Sequence, residues 1–270
     1  DIPEELRKKY HIDTIPMYVQ LNGRVYRDWE TIEAHQLFQN VKETGVYPTT
    51  SAPPPSDFIK FFERDNPSIY IGVSGKLSAT MENARIAEKE LANHSIDVID
   101  SRSISIGIGR IVLQAAKWRD EGMAFSDLGK RIRALIQTSR GIFILNTLEY
   151  LYHCGRCSAI NHFASSLLKI RPFLNLRHDG TLGILKKVRG SRTKAVNELF
   201  NYVKEQFNVY HIDDIVIAQM DSEEEAAALR ERIQSLGYEK DILIAKIGCV
   251  LGSHSGPKPL GIAYSLFEKD

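Results

Sequence analysis

Ser68-Ile69-Tyr70-Ile71-Gly72-Val73-Ser74-Gly75-Lys76-Leu77-Ser78-Ala79-Thr80-Met81-Glu82-Asn83-Ala84 reads as a strand, a tight polar turn and a helix. The apolar, β-branched run from Ile69 to Val73 fits a strand buried on both faces, and from Met81 onward the residues favour helix. Ser78 is placed as N-cap, so its hydroxyl and the free N–H groups of the first turn would face outward from the carboxyl end of a strand. Such a spot suits a phosphate or a carboxylate, with Ser74, Gly75, Ala79 and Thr80 around it. Two sharper motifs are absent. Gly75-Lys76 is followed by Leu77, which breaks a Walker-type loop, and Gly72-Val73-Ser74-Gly75 has its second glycine one place too early for a nucleophile elbow. An ordinary capped turn is the other reading of this stretch.

With 270 residues, 43% hydrophobic and 26% charged, the chain has the composition of a globular protein of two modest domains or one large one. Lys and Arg number 35 against 34 Asp and Glu, a formal charge of +1, so no bulk field points to nucleic acid or to an anionic membrane. No apolar run approaches the ~20 residues of a membrane span, and no signal peptide opens the sequence. Three cysteines do not make a disulfide scaffold, and a reducing, cytoplasmic home is expected. The sequence opens at Asp1 and enters a helix over Pro3 to Lys9 almost at once, so a preceding segment is expected.

Residues 14 to 28 predict a hairpin that turns at Asn22-Gly23. A helix capped by Thr31 follows, with Ala34, Leu37, Phe38 and Val41 on one face and Gly45 as its stop. Tyr47 to Asp57 is a proline-stiffened, hydroxyl-rich loop. It is either a plain connector or, through residues such as Thr50 and Ser51, a rigid source of donors to the same anion. Ile96 to Asp100 predicts a strand, Ile104 to Glu121 a helix, and a further helix capped by Ser126 runs to Thr138. The order strand, helix, strand, helix, helix argues for a parallel sheet with covering helices and puts a domain boundary near Ser139.

Ile142 to Leu145 opens the second half as a strand and leads into a helical stretch carrying Cys154-Gly155-Arg156-Cys157. Two thiols at this spacing invite zinc or redox readings. A structural zinc needs two more ligands, with only Cys249 and scattered histidines to offer, and a thioredoxin-like pair belongs where a strand enters a helix. Leu167 to Val188 reads as a second hairpin turning at Asp179-Gly180. Lys186, Lys187, Arg189, Arg192 and Lys194 place five positive charges within nine residues, either a solvated face or a surface for phosphate or an acidic partner. A helix runs from this cluster to Phe207. Strand Ile215 to Ala218, helix Glu223 to Leu236 and strand Ile242 to Ile247 come next. In the closing Gly248 to Pro257 stretch, Ser253, His254 and Ser255 sit among glycines; such a histidine either faces a cleft or fills a small core space.

Asp1-Ile2-Pro3-Glu4-Glu5-Leu6, Pro48-Thr49-Thr50-Ser51, Leu77-Ser78-Ala79-Thr80, Asp100-Ser101-Arg102-Ser103, Thr147-Leu148-Glu149-Tyr150-Leu151, Gly155-Arg156, Lys187-Val188-Arg189-Gly190 and Gly252-Ser253-His254-Ser255-Gly256-Pro257 span nearly the whole chain. Taken in this order they resemble the DegV family of bacterial fatty-acid-binding proteins, whose members also serve as lipid-carrying subunits of fatty acid kinases. The resemblance implies two α/β domains, 1–139 with a mainly parallel sheet and 140–270 with a mixed or antiparallel one, and the acyl chain between them. It implies carboxylate ligands at Thr50, Ser78 and His254, and a kinase-facing role for Arg156 and Arg189, to which the basic cluster adds Arg192. The chain departs from the family in reading Ser78-Ala79-Thr80 for Ser-Gly-Thr, Cys154-Gly155-Arg156-Cys157 for Gly-Gly-Arg-Ile, and Gly256-Pro257-Lys258 for Gly-Pro-Gly.

A long acyl chain gains about 0.8 kcal/mol per buried CH₂, which favours a closed apolar tunnel, whereas a buried carboxylate needs partners. The expected function is therefore a binding protein without catalytic residues, cofactor or metal. The resemblance implies a long-chain fatty acid as its ligand, presented to a fatty acid kinase subunit or a fused kinase-like domain for acyl-phosphate formation. A rival from another class is a serine-dependent hydrolase of a lipid or acyl ester, using Ser74 or Ser78 with His254 and an acid such as Asp100; the missing elbow weighs against it. A zinc or thiol-redox module on Cys154 and Cys157 is the third.

Overall fold

The computed structural model describes residues 1–64, 66–155 and 170–269. After helix α1 (Glu4–Lys9), strands β1 (Tyr18–Leu21) and β2 (Arg24–Arg27) form the expected hairpin. Asn22 and Gly23 both take positive φ, 50° and 72°, as a type I′ turn requires. Helix α2 (Ala34–Thr44) is capped by Glu33 in a capping box with Gln36, not by Thr31. The Thr31 hydroxyl is already committed to the Arg27 backbone N–H at 2.7 Å. The hydroxyl-rich stretch is not a plain loop, because Thr49–Ser51 forms β3 and pairs antiparallel with β1, Thr50 opposite Val19.

Helix α3 (Pro55–Phe62) starts on a proline at its first position, where the missing N–H costs nothing. Strands β4 (Ser68–Gly72) and β5 (Ile96–Asp100) run parallel, joined through α4 (Thr80–Glu90). The N-cap of α4 is Ala79, not Ser78. The Ser78 N–H bonds back to the Ser74 carbonyl at 3.2 Å, a tight turn that delays the helix. Its hydroxyl still accepts the Thr80 N–H at 3.2 Å. Helices α5 (Ser105–Asp120) and α6 (Phe125–Thr138) follow, the latter capped by Ala124 and not by Ser126.

The second half builds one mixed sheet. Its elements are β6 (Ser139–Ile144), α7 (Glu149–His153), β7 (Ile170–Leu176), β8 (Leu182–Arg189), α8 (Arg192–Val209), β9 (Tyr210–Gln219), α9 (Glu223–Gln234), β10 (Leu243–Lys246), α10 (Cys249–Ser255) and β11 (Leu260–Glu268). The strand order is β10-β9-β11-β6-β7-β8, with only β10 and β9 parallel among these pairs. Alternation along the strands divides the two faces. Ile215 and Ile217 of β9 join Leu199, Val203 and Leu229 under α8 and α9, while Val216 and Ala218 join Ile106 of α5 on the other face. Small residues at Ala218, Ala245 and Ala263 let α5 and the α10 region approach that second face closely. Arg156, Cys157 and the start of the second hairpin at Leu167 lie outside the described residues.

Candidate functional site

The three carboxylate candidates sit on three separate elements. Thr50 lies on β3, Ser78 in the turn between β4 and α4, and His254 on α10. Helix α10 packs against β1, β3, α2 and α7, which carries His254 to Thr50 across 204 positions of sequence: Thr50 Oγ1 and His254 Nε2 are 2.9 Å apart. The Ser78 and Thr80 hydroxyls are 2.7 Å apart at the start of α4. All four residues, with Ser51 and Ala79, line one cavity of about 1010 Å³, at the top of the ~300–1,000 Å³ range of ligand pockets.

Most of the remaining wall is apolar. It includes Ile69 and Ile71 of β4, Ile108 and Val112 of α5, Phe143 of β6 and Leu182 of β8. The expectation that β4 is buried on both faces is corrected here: Ile69, Tyr70 and Ile71 are only half-buried, because they border this cavity. An apolar chain entering it would cover them.

Three further candidates from the anion loop are held elsewhere. Ser74 is fully buried and donates its hydroxyl to the Gly180 carbonyl at 2.8 Å. Gly75 gives its N–H to Asp100 Oδ2 at 3.1 Å, and Ser253 donates to the Cys249 carbonyl one turn back at 2.7 Å. These contacts also bear on the hydrolase reading. Asp100 is committed to the N–H groups of Gly75 and Arg102, His254 Nε2 faces Thr50, and Ser78 faces Thr80. No Ser-His-Asp relay is assembled from these residues. Cys154 Sγ contacts the Leu151 carbonyl at 3.3 Å, and no group of metal-ligating side chains occurs among the described residues.

One residue that positions the site was not legible in the sequence. Asp28, buried at the end of the first hairpin, accepts the Cys249 N–H at 2.7 Å and the Val250 N–H at 3.1 Å, and so caps the helix that carries His254. Burial pushes its carboxyl pKa up, against the pull of those two bonds. Its partners lie more than two hundred positions away, and no local pattern announces them. Burial also pushes the Cys249 thiol up to about 12, which keeps it un-ionised and inert beside the site.

The basic cluster divides. Arg192 turns inward and grips Glu225 of α9 through Nε at 3.0 Å and Nη2 at 2.8 Å. Lys186 pairs with Glu198 at 2.5 Å. Arg189 and Lys194 are exposed.

The model of the family described as "Uncharacterised protein, DegV family" matches residues 1–266. A DegV domain-containing protein of Caldanaerobacter subterraneus is 31% identical over 272 residues, which cover 98% of this chain and 95% of that protein. Among solved structures, a fatty-acid-binding DegV family protein from Thermus thermophilus superposes with a TM-score of 0.90 at 30% identity, covering 99% of this chain and 96% of that one. The fatty acid kinase (Fak) B3 protein of Streptococcus pneumoniae, loaded with linoleic acid, gives a TM-score of 0.85 at 25% identity, covering 93% and 90%. With its fold matched from end to end and its family model spanning nearly every residue, this chain belongs to the DegV family.

Proposed function

We propose that the protein binds a long-chain fatty acid, buries its acyl chain and presents the carboxylate to a separate kinase that converts it to an acyl phosphate. The observation that carries this reading is that two polar pairs, Thr50 with His254 and Ser78 with Thr80, line the wall of one large, mainly apolar cavity. A fatty acid needs both halves of that arrangement. Its methylenes favour the apolar walls by about 0.8 kcal/mol each, and its charged end needs donors once out of water. The similarity to a fatty-acid-binding protein of Thermus thermophilus and to a Fak B3 protein loaded with linoleic acid supports the same ligand class. In this reading residues 1–139 and 140–270 are two units that close on the ligand. No cofactor takes part; the hydroxyls and the imidazole hold the carboxylate without attacking it.

Mass spectrometry of lipid extracted from the purified protein tests the ligand. About one fatty acid per chain is expected, and protein that neither yields nor takes up acyl lipid would refute the proposal.

The partner surface is tested separately. Arg189→Ala is expected to leave fatty acid binding unchanged and to weaken association with the kinase, with less salt dependence than the unmodified protein shows, because an exposed charge acts by steering. Arg192→Ala should instead lower stability, since it removes the bidentate partner of Glu225. Loss of lipid binding in Arg189→Ala would assign the cluster to the pocket.

A further inference from the structure

We propose that the tip of the β7–β8 hairpin is a clasp that holds Ser78 in place, with Ser74 and Gly180 as its two halves. The proposal rests on the carboxylate reading above. Ser74 lines no part of the cavity wall given above, yet it is fully buried and every polar group it owns is committed. Its N–H donates to the Ser103 carbonyl at 2.9 Å, its carbonyl accepts the Leu77 and Ser78 N–H groups at 2.9 and 3.2 Å, and its hydroxyl donates to the Gly180 carbonyl at 2.8 Å while accepting the Lys76 N–H at 3.3 Å. A shift of Ser74 therefore moves Ser78 through a direct backbone bond.

The other half is built to fit. Arg177, His178 and Asp179 at the hairpin tip are exposed, but Gly180 is buried. It takes φ +86°, and a Cβ there would lie 2.3 Å from Ser74 Oγ and 3.3 Å from Arg102 Cα. Only glycine combines that backbone with that approach. Asp179 stiffens the tip by accepting the Thr181 N–H at 3.0 Å and hydroxyl at 2.7 Å, so the turn docks with its shape already set. Arg102 adds a second tie, donating to the His178 carbonyl at 3.3 Å. Arg102 itself holds φ 51° and gives its N–H to Asp100 at 2.8 Å, the same carboxylate that accepts the Gly75 N–H. The loop bearing Ser78 is thus braced from β5 below and from the hairpin tip in the other half of the chain. Ser74 is a positioning residue, acting on the carboxylate through Ser78.

Ser74→Ala removes the clasp without adding volume, and Gly180→Ala drives a methyl group into it. Both variants and the unmodified protein are titrated with a long-chain fatty acid and with the primary alcohol of the same chain, and amide exchange is followed at Leu77 and Ser78. Ser74→Ala is expected to lower acid affinity roughly three- to tenfold, through loss of the hydroxyl's bond to Gly180 together with the longer bond it accepts from the Lys76 N–H, and Gly180→Ala, which leaves the Lys76 bond in place, to lower it further. Alcohol affinity should hold and exchange at both amides should quicken. Equal losses for acid and alcohol, or faster exchange with unchanged acid affinity, would overturn the proposal. If Gly180→Ala does not fold, Ser74→Ala decides alone. If the unmodified protein holds acid and alcohol equally, the carboxylate reading fails and exchange decides the clasp: quickened exchange supports it and unchanged exchange removes it.

Discussion

Thr50→Ala, Ser78→Ala and His254→Ala are each expected to weaken fatty acid binding by about tenfold or somewhat more, by the same factor for every chain length. A hydrogen bond to a charged group is worth roughly 1.5 to 3 kcal/mol, and each substitution removes either a donor to the head group or the partner that orients one, while leaving the apolar walls untouched. The three should not be independent. Thr50 and His254 hold each other at 2.9 Å, so loss of either loosens the other, and the double variant should lose less than the sum of the single losses. Ser78 sits on a different element and pairs with the Thr80 hydroxyl, so its loss should add to that of Thr50. Titrating a chain-length series against the three variants separates the terms. Losses that grow with chain length would move these residues from the head group to the tunnel. Methyl esters that bind the unmodified protein as tightly as free acids would end the carboxylate reading.

The parts of this arrangement that local chemistry encodes are legible in the sequence. Asn22-Gly23 announces its hairpin because few other pairs adopt two successive positive φ angles, and the β4 run followed by Ala, Glu and Lys announces a strand and a helix. Helix starts are less secure. Thr31, Ser78 and Ser126 are all good capping residues, yet Glu33, Ala79 and Ala124 hold those positions. A hydroxyl can be claimed by a nearby turn, as Arg27 claims Thr31, and propensity does not see that competition. The site follows the same division. Hydroxyls and a histidine in glycine- and proline-rich stretches stand out by composition. Ser74 has the same appearance, but its role is fixed by Gly180, 106 positions away, and the role of Asp28 by the start of α10. Such long-range partners are set by topology: β11 enters between β9 and β6, and α10, just before it in sequence, packs against β1, β3, α2 and α7 from the first and second halves of the chain.

Arg110→Ala is expected to destabilise the protein by about 3 kcal/mol, at the lower end of the range for breaking a buried ion pair. Arg110 lies on α5 with 1% of its surface exposed. Nη1 donates to Asp214 of β9 and to Ser265 of β11, both at 2.8 Å, and Nη2 donates to Ser139 at the start of β6. Burial lowers the guanidinium pKa and Asp214 opposes that shift, so the group stays charged and its three partners hold it. The lower end of the range applies because the Asp214 side chain is 37% exposed, and water can solvate the carboxylate left behind. Arg110→Met keeps the volume of the stem without the charge and should lose less than Arg110→Ala; Arg110→Lys keeps the charge but not the fork that reaches three acceptors. Denaturant midpoints for the three variants test this order. Because Ile108 and Val112 of the same helix line the cavity, a loosened α5 should also lower affinity for fatty acid and for the matching alcohol alike, unlike the head-group variants, which spare the alcohol. An Arg110→Ala protein within 1 kcal/mol of the unmodified one would show that the hydroxyl and carboxylate partners contribute no net stability there, and that apolar packing alone holds α5 to the sheet.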